Sequence, residues 1–138
     1  PLRSLTAAEP RLPEWRIIRP RSPAVLTRHY RRAQAATGVH WTFLAAINLV
    51  ETRMGRIRGT STAGAQGPMQ FIPGTWDIYG RGGDVNDPAD AIPAAARLLR
   101  ANGAPERMRA ALYRYNPSDD YVEAVVQYAQ HMQRDPRA

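Results

Sequence analysis

Two residue types common in chains of this size are missing. Cysteine is absent, which excludes a disulfide framework and a thiolate metal site and leaves the redox compartment unread. Lysine is absent too, so the formal net charge of +7 rests on arginine alone, a skew that GC-rich coding explains more simply than selection for guanidinium chemistry. No apolar run reaches the roughly 20 residues needed to cross a bilayer. The longest largely apolar stretch begins at Trp41 and is ended by Glu51 and Arg53. No alternating stretch of convincing strand length occurs, and no internal repeat. Neither an initiator Met nor an apolar signal core opens the sequence at Pro1, so it reads as a mature or trimmed fragment.

What is present suits one soluble folded domain: 138 residues, 43% hydrophobic and 22% charged, enough to bury a core without covalent staples. Residues 1–21 contain Pro10, Pro13 and Pro20 without apolar periodicity and read as an extended arm. The compact domain is expected over 22–138. Ser22-Pro23 opens a first helix that Gly38 stops. A second helix, about Trp41 to Thr52, is apolar on nearly every side and is expected to be the central buried element. A Gly-, Ser- and Arg-rich loop is expected from Gly55 to Gly67. Further helices are expected from about Pro73 to Tyr79, Ile92 to Asn102, Pro105 to Tyr113 and Asp119 to Gln133. The fold class is all-α or nearly so.

A basic chain binds nucleic acid through phosphates or adheres to the anionic polymers of a bacterial wall, and charge alone does not choose. The tightest arginine groups, Arg16/Arg19/Arg21 and Arg28/Arg31/Arg32, lack aromatic interleaving, so a solvated basic face is the plainer reading. The acids of Gly80 to Asp90 lack EF-hand spacing and the closing Glu, and read as a turn-rich loop. His29, His40 and His131 form no ligand pair. Neither a metal nor a cofactor is expected.

Between Trp15 and Trp76 the only acidic residue is Glu51, placed at the end of the most hydrophobic helix. A poorly solvated carboxylate has its pKa raised and keeps a proton near neutrality, as a general acid must. Arg53 or Arg56 would oppose this if paired with it, so a structural Glu51–Arg pair stands beside the catalytic reading.

From Leu44 through Tyr79 the sequence reads LAAINLVETRMGRIRGTSTAGAQGPMQFIPGTWDIYG. It resembles the signature of lytic transglycosylases, especially relatives of the membrane-bound B type. In that family a Glu ends a buried helix, a Ser and Gly-Ala loop follows, and a Gly-x-Met-Gln-Phe segment precedes a Pro-x-Thr-Trp helix start. Here these are Glu51, Ser61, Gly64-Ala65, Gly67 to Phe71 and Pro73 to Trp76. Asp87 to Leu99 and Ala111 to Val122 resemble the later helices, so about 95 residues are covered. Two departures are Tyr115-Asn116-Pro117-Ser118 in place of the commoner Tyr-Asn-Ala-Gly, and Thr52 where many members have Ser.

The resemblance implies a lysozyme-like helical domain that acts on peptidoglycan strands as a monomer, with no nucleic-acid partner, in the cell envelope or outside the cell. Glu51 would protonate the glycosidic oxygen between N-acetylmuramic acid and N-acetylglucosamine and then act as base. The muramyl 6-hydroxyl would attack the anomeric carbon to give a 1,6-anhydro end, so no second carboxylate is needed, unlike ordinary glycosidases. Ser61 and Gln70 would hydrogen-bond the sugars, Tyr115 would orient Glu51 with Asn116 beside it, Met69 and Phe71 would line the cleft, and Gly67 would let backbone approach substrate. For Tyr115, Met69 and Phe71 a plain core role is the alternative. The functional alternatives are a hydrolysing muramidase using Asp77, Asp84, Asp87, Asp119 or Asp120 as second acid, a non-catalytic peptidoglycan-binding domain, and a basic nucleic-acid binder.

Overall fold

The computed structural model describes residues 23–58 and 64–135, and of residues 23 and 53–58 the backbone alone. The expected arm, Ser61, and the side chains of Arg53 and Arg56 lie outside the described residues. Six helices form the described chain: α1 (Pro23–Thr37), α2 (Trp41–Arg58), α3 (Pro73–Tyr79), α4 (Pro88–Ala101), α5 (Met108–Tyr115) and α6 (Asp119–Arg134). The only β feature among the described residues is an isolated bridge between Gln66 and Phe71. The all-α expectation holds, and with it the lysozyme-like class.

α2 is the centre. Leu44, Ala46, Ile47, Val50 and Glu51 are buried on it, and it packs most extensively against α6, with α1 along another side. Its start is fixed from three directions. The Trp41 N–H donates to Gln34 Oε1 at 2.8 Å, the Thr42 N–H to His40 Nδ1 at 3.3 Å, and Gln133 Nε2 reaches from α6 to the fully buried Thr42 hydroxyl at 2.9 Å. Satisfying these otherwise orphaned groups holds α2 in register. α1 runs back along it: Gln34 meets Trp41, and Tyr30 accepts from Asn48 Nδ2 at 2.8 Å.

α4 supplies the small face that lets its neighbours close in, with Ala91, Ala94, Ala95 and Ala96 buried beside Ile92 and Leu99. α6 buries Tyr121, Val122, Val125, Val126 and Ala129, one stripe at helical spacing.

Three boundaries differ from expectation. α2 continues to Arg58, because one interior glycine, Gly55, weakens a helix by only about 1 kcal/mol and Met54, Arg56 and Arg58 favour it. α4 begins at Pro88, where Asp87 Oδ1 accepts from the Ala89 N–H at 2.9 Å, an Asp cap followed by a first-turn proline. α5 begins at Met108, since residues 102–107 form turns that close α4, the Leu99 carbonyl accepting from both Asn102 and Ala104.

Candidate active site

Glu51 is 3% exposed and is the only buried charged residue among the described residues. Two phenols stand by it. Burial raises the Tyr121 hydroxyl well above its usual pKa, and the Glu51 carboxylate raises it further by charge and by hydrogen bonding. Burial and the charge of Glu51 act in the same direction on Tyr115. The Tyr121 hydroxyl has no partner of ordinary hydrogen-bond geometry among the described residues, and Glu51 acts on it more by charge than by hydrogen bonding.

Tyr115 does a different job. Its hydroxyl donates to the Met69 carbonyl at 2.8 Å, tying α5 to a segment 46 residues earlier. Its ring stacks on Tyr121 at 6.5 Å and meets Phe71 edge-on at 6.2 Å, and Phe71 in turn meets Trp76 edge-on at 5.0 Å. An aromatic row therefore runs from α3 to the carboxylate, each pair worth about 1 kcal/mol beyond its buried area.

Gly67 to Gln70 form a four-residue loop clamped by reciprocal bonds between Gln66 and Phe71, at 2.9 and 2.8 Å. Its ends are both left-handed, Gly67 at φ 79 and Gln70 at φ 54. Gln70 stabilises its own turn, both its backbone N–H and its Nε2 donating to the Gly67 carbonyl, at 3.1 and 2.9 Å. At Gly67 the close neighbour is internal: a Cβ there would collide with the Val85 carbonyl.

Among the expected site residues, the structure thus brings Tyr115 into the electrostatic reach of Glu51 and joins Tyr115 to Met69, with Phe71 against its ring. Met69 and Phe71 are themselves buried, Met69 within the loop and Phe71 at its closing end. Asn116 caps α5, its N–H donating to Leu112 and its carbonyl accepting from Ser118. Sequence reasoning misses Tyr121, because on sequence it is one more apolar residue on the α6 stripe. The available signal is a second tyrosine just past the Tyr115-Asn116 turn, on the first turn of a helix capped by Ser118.

The acids of the Gly80 to Asp90 loop hydrogen-bond their own backbone, Asp90 Oδ2 accepting from the Asp84 N–H at 3.0 Å and Asp84 Oδ1 from the Asn86 N–H at 2.9 Å.

The buried phenols make the fold sensitive to alkali. Tyr30, Tyr115 and Tyr121 all have pKa values raised above 10.0, chiefly by burial. Unfolded phenols ionise near 10 while the folded ones keep their protons, so the folded state binds more protons and stability falls as pH rises. Their contribution is complete below about pH 10 and is lost above it. Thermal midpoints are expected to hold steady up to about pH 9.5 and drop from there to pH 11; an unchanged midpoint at pH 11 would refute the raised values.

The model of the Transglycosylase SLT domain family matches residues 28–136. A curated relative, the membrane-bound lytic murein transglycosylase F of Thiobacillus denitrificans, is 29% identical over 127 residues, covering 87% of this chain and 27% of that protein. The chain thus spans about a quarter of the relative's length. No solved structure matches it. The family match takes in five of the six helices whole and most of α1, along with Glu51, the Gly67 to Gln70 loop, Tyr115 and Tyr121, and the chain belongs to the Transglycosylase SLT domain family.

Proposed function

We propose that this chain is the catalytic domain of a peptidoglycan lytic transglycosylase that cleaves between N-acetylmuramic acid and N-acetylglucosamine with Glu51 as sole acid and base. The observation that carries this reading is a carboxylate, Glu51, that is the only buried charged residue among the described residues and stands beside two neutral phenols. A retaining or inverting glycosidase needs two carboxyl groups flanking the bond. One group suffices if the nucleophile comes from the substrate. Protonated Glu51 gives its proton to the glycosidic oxygen as the bond to the anomeric carbon breaks. The resulting carboxylate then takes the proton of the muramyl 6-hydroxyl as that oxygen closes the 1,6-anhydro ring. The enzyme ends as it began, and no water is consumed.

Raised phenol pKa values fit this cycle: Tyr121 stays protonated and serves as a donor to Glu51 when it is anionic, never as a base. Tyr115 and the loop bond at Met69 hold that phenol in place. Tyr121→Phe is expected to lower kcat about tenfold with KM within about twofold, since it removes orientation rather than binding; steady-state kinetics on soluble strands giving a kcat within twofold of the parent would remove Tyr121 from the mechanism.

The substrate places the domain in the cell envelope or outside the cell, acting as a monomer over residues 22–138. The direct test is mass spectrometry of fragments released from purified peptidoglycan. Muramyl ends one water lighter than reducing ends, absent with Glu51→Gln, would support transglycosylation; reducing ends would make the enzyme a muramidase with a second acid to find.

A further inference from the structure

From Trp41 to Thr52 the largely apolar run of α2 is interrupted by Thr42, Asn48, Glu51 and Thr52. Thr42 belongs to the fixing of the helix start and Glu51 to the site, which leaves Asn48 and Thr52. Asparagine is poorly suited to a helix interior, because its side chain competes for backbone hydrogen bonds. Its partner is on α1: Asn48 Nδ2 donates to the Tyr30 hydroxyl at 2.8 Å, and Thr52 Oγ1 donates to Asn48 Oδ1 at 3.3 Å. Tyr30 is buried and Asn48 half-buried, so the bond between them is sheltered from water, whereas the Thr52 bond is exposed.

The Asn48 bond is the second of two polar ties between α1 and α2. The first joins Gln34 to the Trp41 N–H at 2.8 Å. Along the helices the ties are about 6 Å apart on α1 and about 10 Å apart on α2. One tie fixes where α2 starts; two fix its direction and its rotation about its own axis. The other side-chain bonds that hold α2 gather at its first turn, which makes that turn the pivot if the Asn48 tie is cut. Apolar contact with α6 keeps α2 in the core but has no preferred direction, so it resists a small pivot less than a hydrogen bond does. Glu51 is about 15 Å from the pivot, and a turn of only about 4° carries it on the order of 1 Å. Tyr115 and Tyr121 bear on Glu51 from α5 and α6, so such a turn also changes the distance between the carboxylate and its phenols.

We propose that Asn48, held by Tyr30, is a positioning residue for Glu51: the tie sets the angle of α2 and with it the aim of the carboxylate at the glycosidic oxygen. This rests on the reading of Glu51 as the acid of a peptidoglycan-cleaving domain. Asn48 itself touches neither the substrate nor the transferred proton, so its loss lowers turnover without weakening binding. The two partners act through one bond, so removing either has the same effect and removing both adds nothing.

The experiment compares Tyr30→Phe, Asn48→Leu and the double variant with the parent in steady-state release of fragments from soluble peptidoglycan strands, with rates expressed per folded molecule from urea unfolding. Tyr30→Phe takes away a single oxygen and keeps the ring, so the fold is preserved. Each single variant is expected to lower kcat about tenfold with KM within about twofold, since a displacement on the order of 1 Å would cost roughly 10²-fold and this one is smaller. The double variant is expected to match the singles in kcat, even though its stability recovers because two apolar groups now face each other. A kcat per folded molecule within about twofold of the parent in Tyr30→Phe would overturn the proposal, as would a loss carried by KM or a double variant down by roughly 10²-fold. A second readout needs no turnover: the carboxyl carbon NMR signal of Glu51, identified by its absence from Glu51→Gln, is expected to shift in Tyr30→Phe. A parent that releases no fragments would sink the enzymatic reading, and this signal would then decide alone, an unshifted signal overturning the positioning role.

Discussion

Glu51→Gln is expected to cut fragment release from peptidoglycan by about 10³-fold or more while affinity for the strands changes by no more than a few fold. Glutamine keeps the shape and the hydrogen-bonding reach of the side chain but has no proton to give an oxygen leaving group. Burial, the main cause of the raised Tyr115 and Tyr121 pKa values, remains when the carboxylate is gone, so neither phenol can take over as base. The fold should be undisturbed, because a neutral amide replaces a group that is 3% exposed and the charge that had to be buried is gone. Glu51→Asp is the sharper control: the acid is kept but drawn back by one methylene, and a misplacement on the order of 1 Å costs about 10²-fold. Release rates by Glu51→Gln within tenfold of the parent would show that another residue carries the proton.

How far the sequence predicts this site depends on the distance between partners. Glu51 is visible because it interrupts a helix that is otherwise apolar, a local pattern that burial then follows. The turn at Gly67 to Gln70 is not legible in that way: the residues predict a loop only as far as Gly67, and the segment itself stands out by resemblance alone. Tyr115 and Met69 are 46 residues apart, and nothing local to either names the other. The expectation that Tyr115 orients Glu51 and the observation that its proton goes to the Met69 carbonyl differ for that reason. Tyr121 is harder still, since a tyrosine on a buried helical stripe needs no function to explain it, and only the packing of α6 on α2 reveals which way its hydroxyl points. Helix ends follow capping chemistry: Pro73 and Asp119 open α3 and α6 as expected, whereas Asp87-Pro88 carries the same kind of signal four residues ahead of the expected start at Ile92.

Gly67→Ala is expected to be the most damaging single-methyl change in the loop, costing about 3 kcal/mol of stability. Two separate penalties combine. The backbone at φ 79 lies in the left-handed region, which costs an L residue roughly 1 kcal/mol. The added Cβ would also run into the Val85 carbonyl oxygen and stand 2.9 Å from its carbonyl carbon, a backbone neighbour that cannot rotate away as a side chain would. Gly82→Ala separates the two penalties, because Gly82 has φ 76 and a Cβ added there would meet nothing within 4 Å; it should cost only about 1 kcal/mol. The clash has a functional consequence too. Relief requires the Gly67 end of the loop to move off Val85, and the loop is clamped at Gln66 and Phe71, so the movement passes to Met69 and from there to the Tyr115 hydroxyl. Activity should therefore fall further in Gly67→Ala than its folded fraction accounts for, whereas Gly82→Ala should lose none beyond it. Urea unfolding of the two variants, with fragment release measured well below each midpoint, decides the matter: equal stability losses would mean that the Val85 contact yields freely, and that Gly67 is needed for its backbone angle alone.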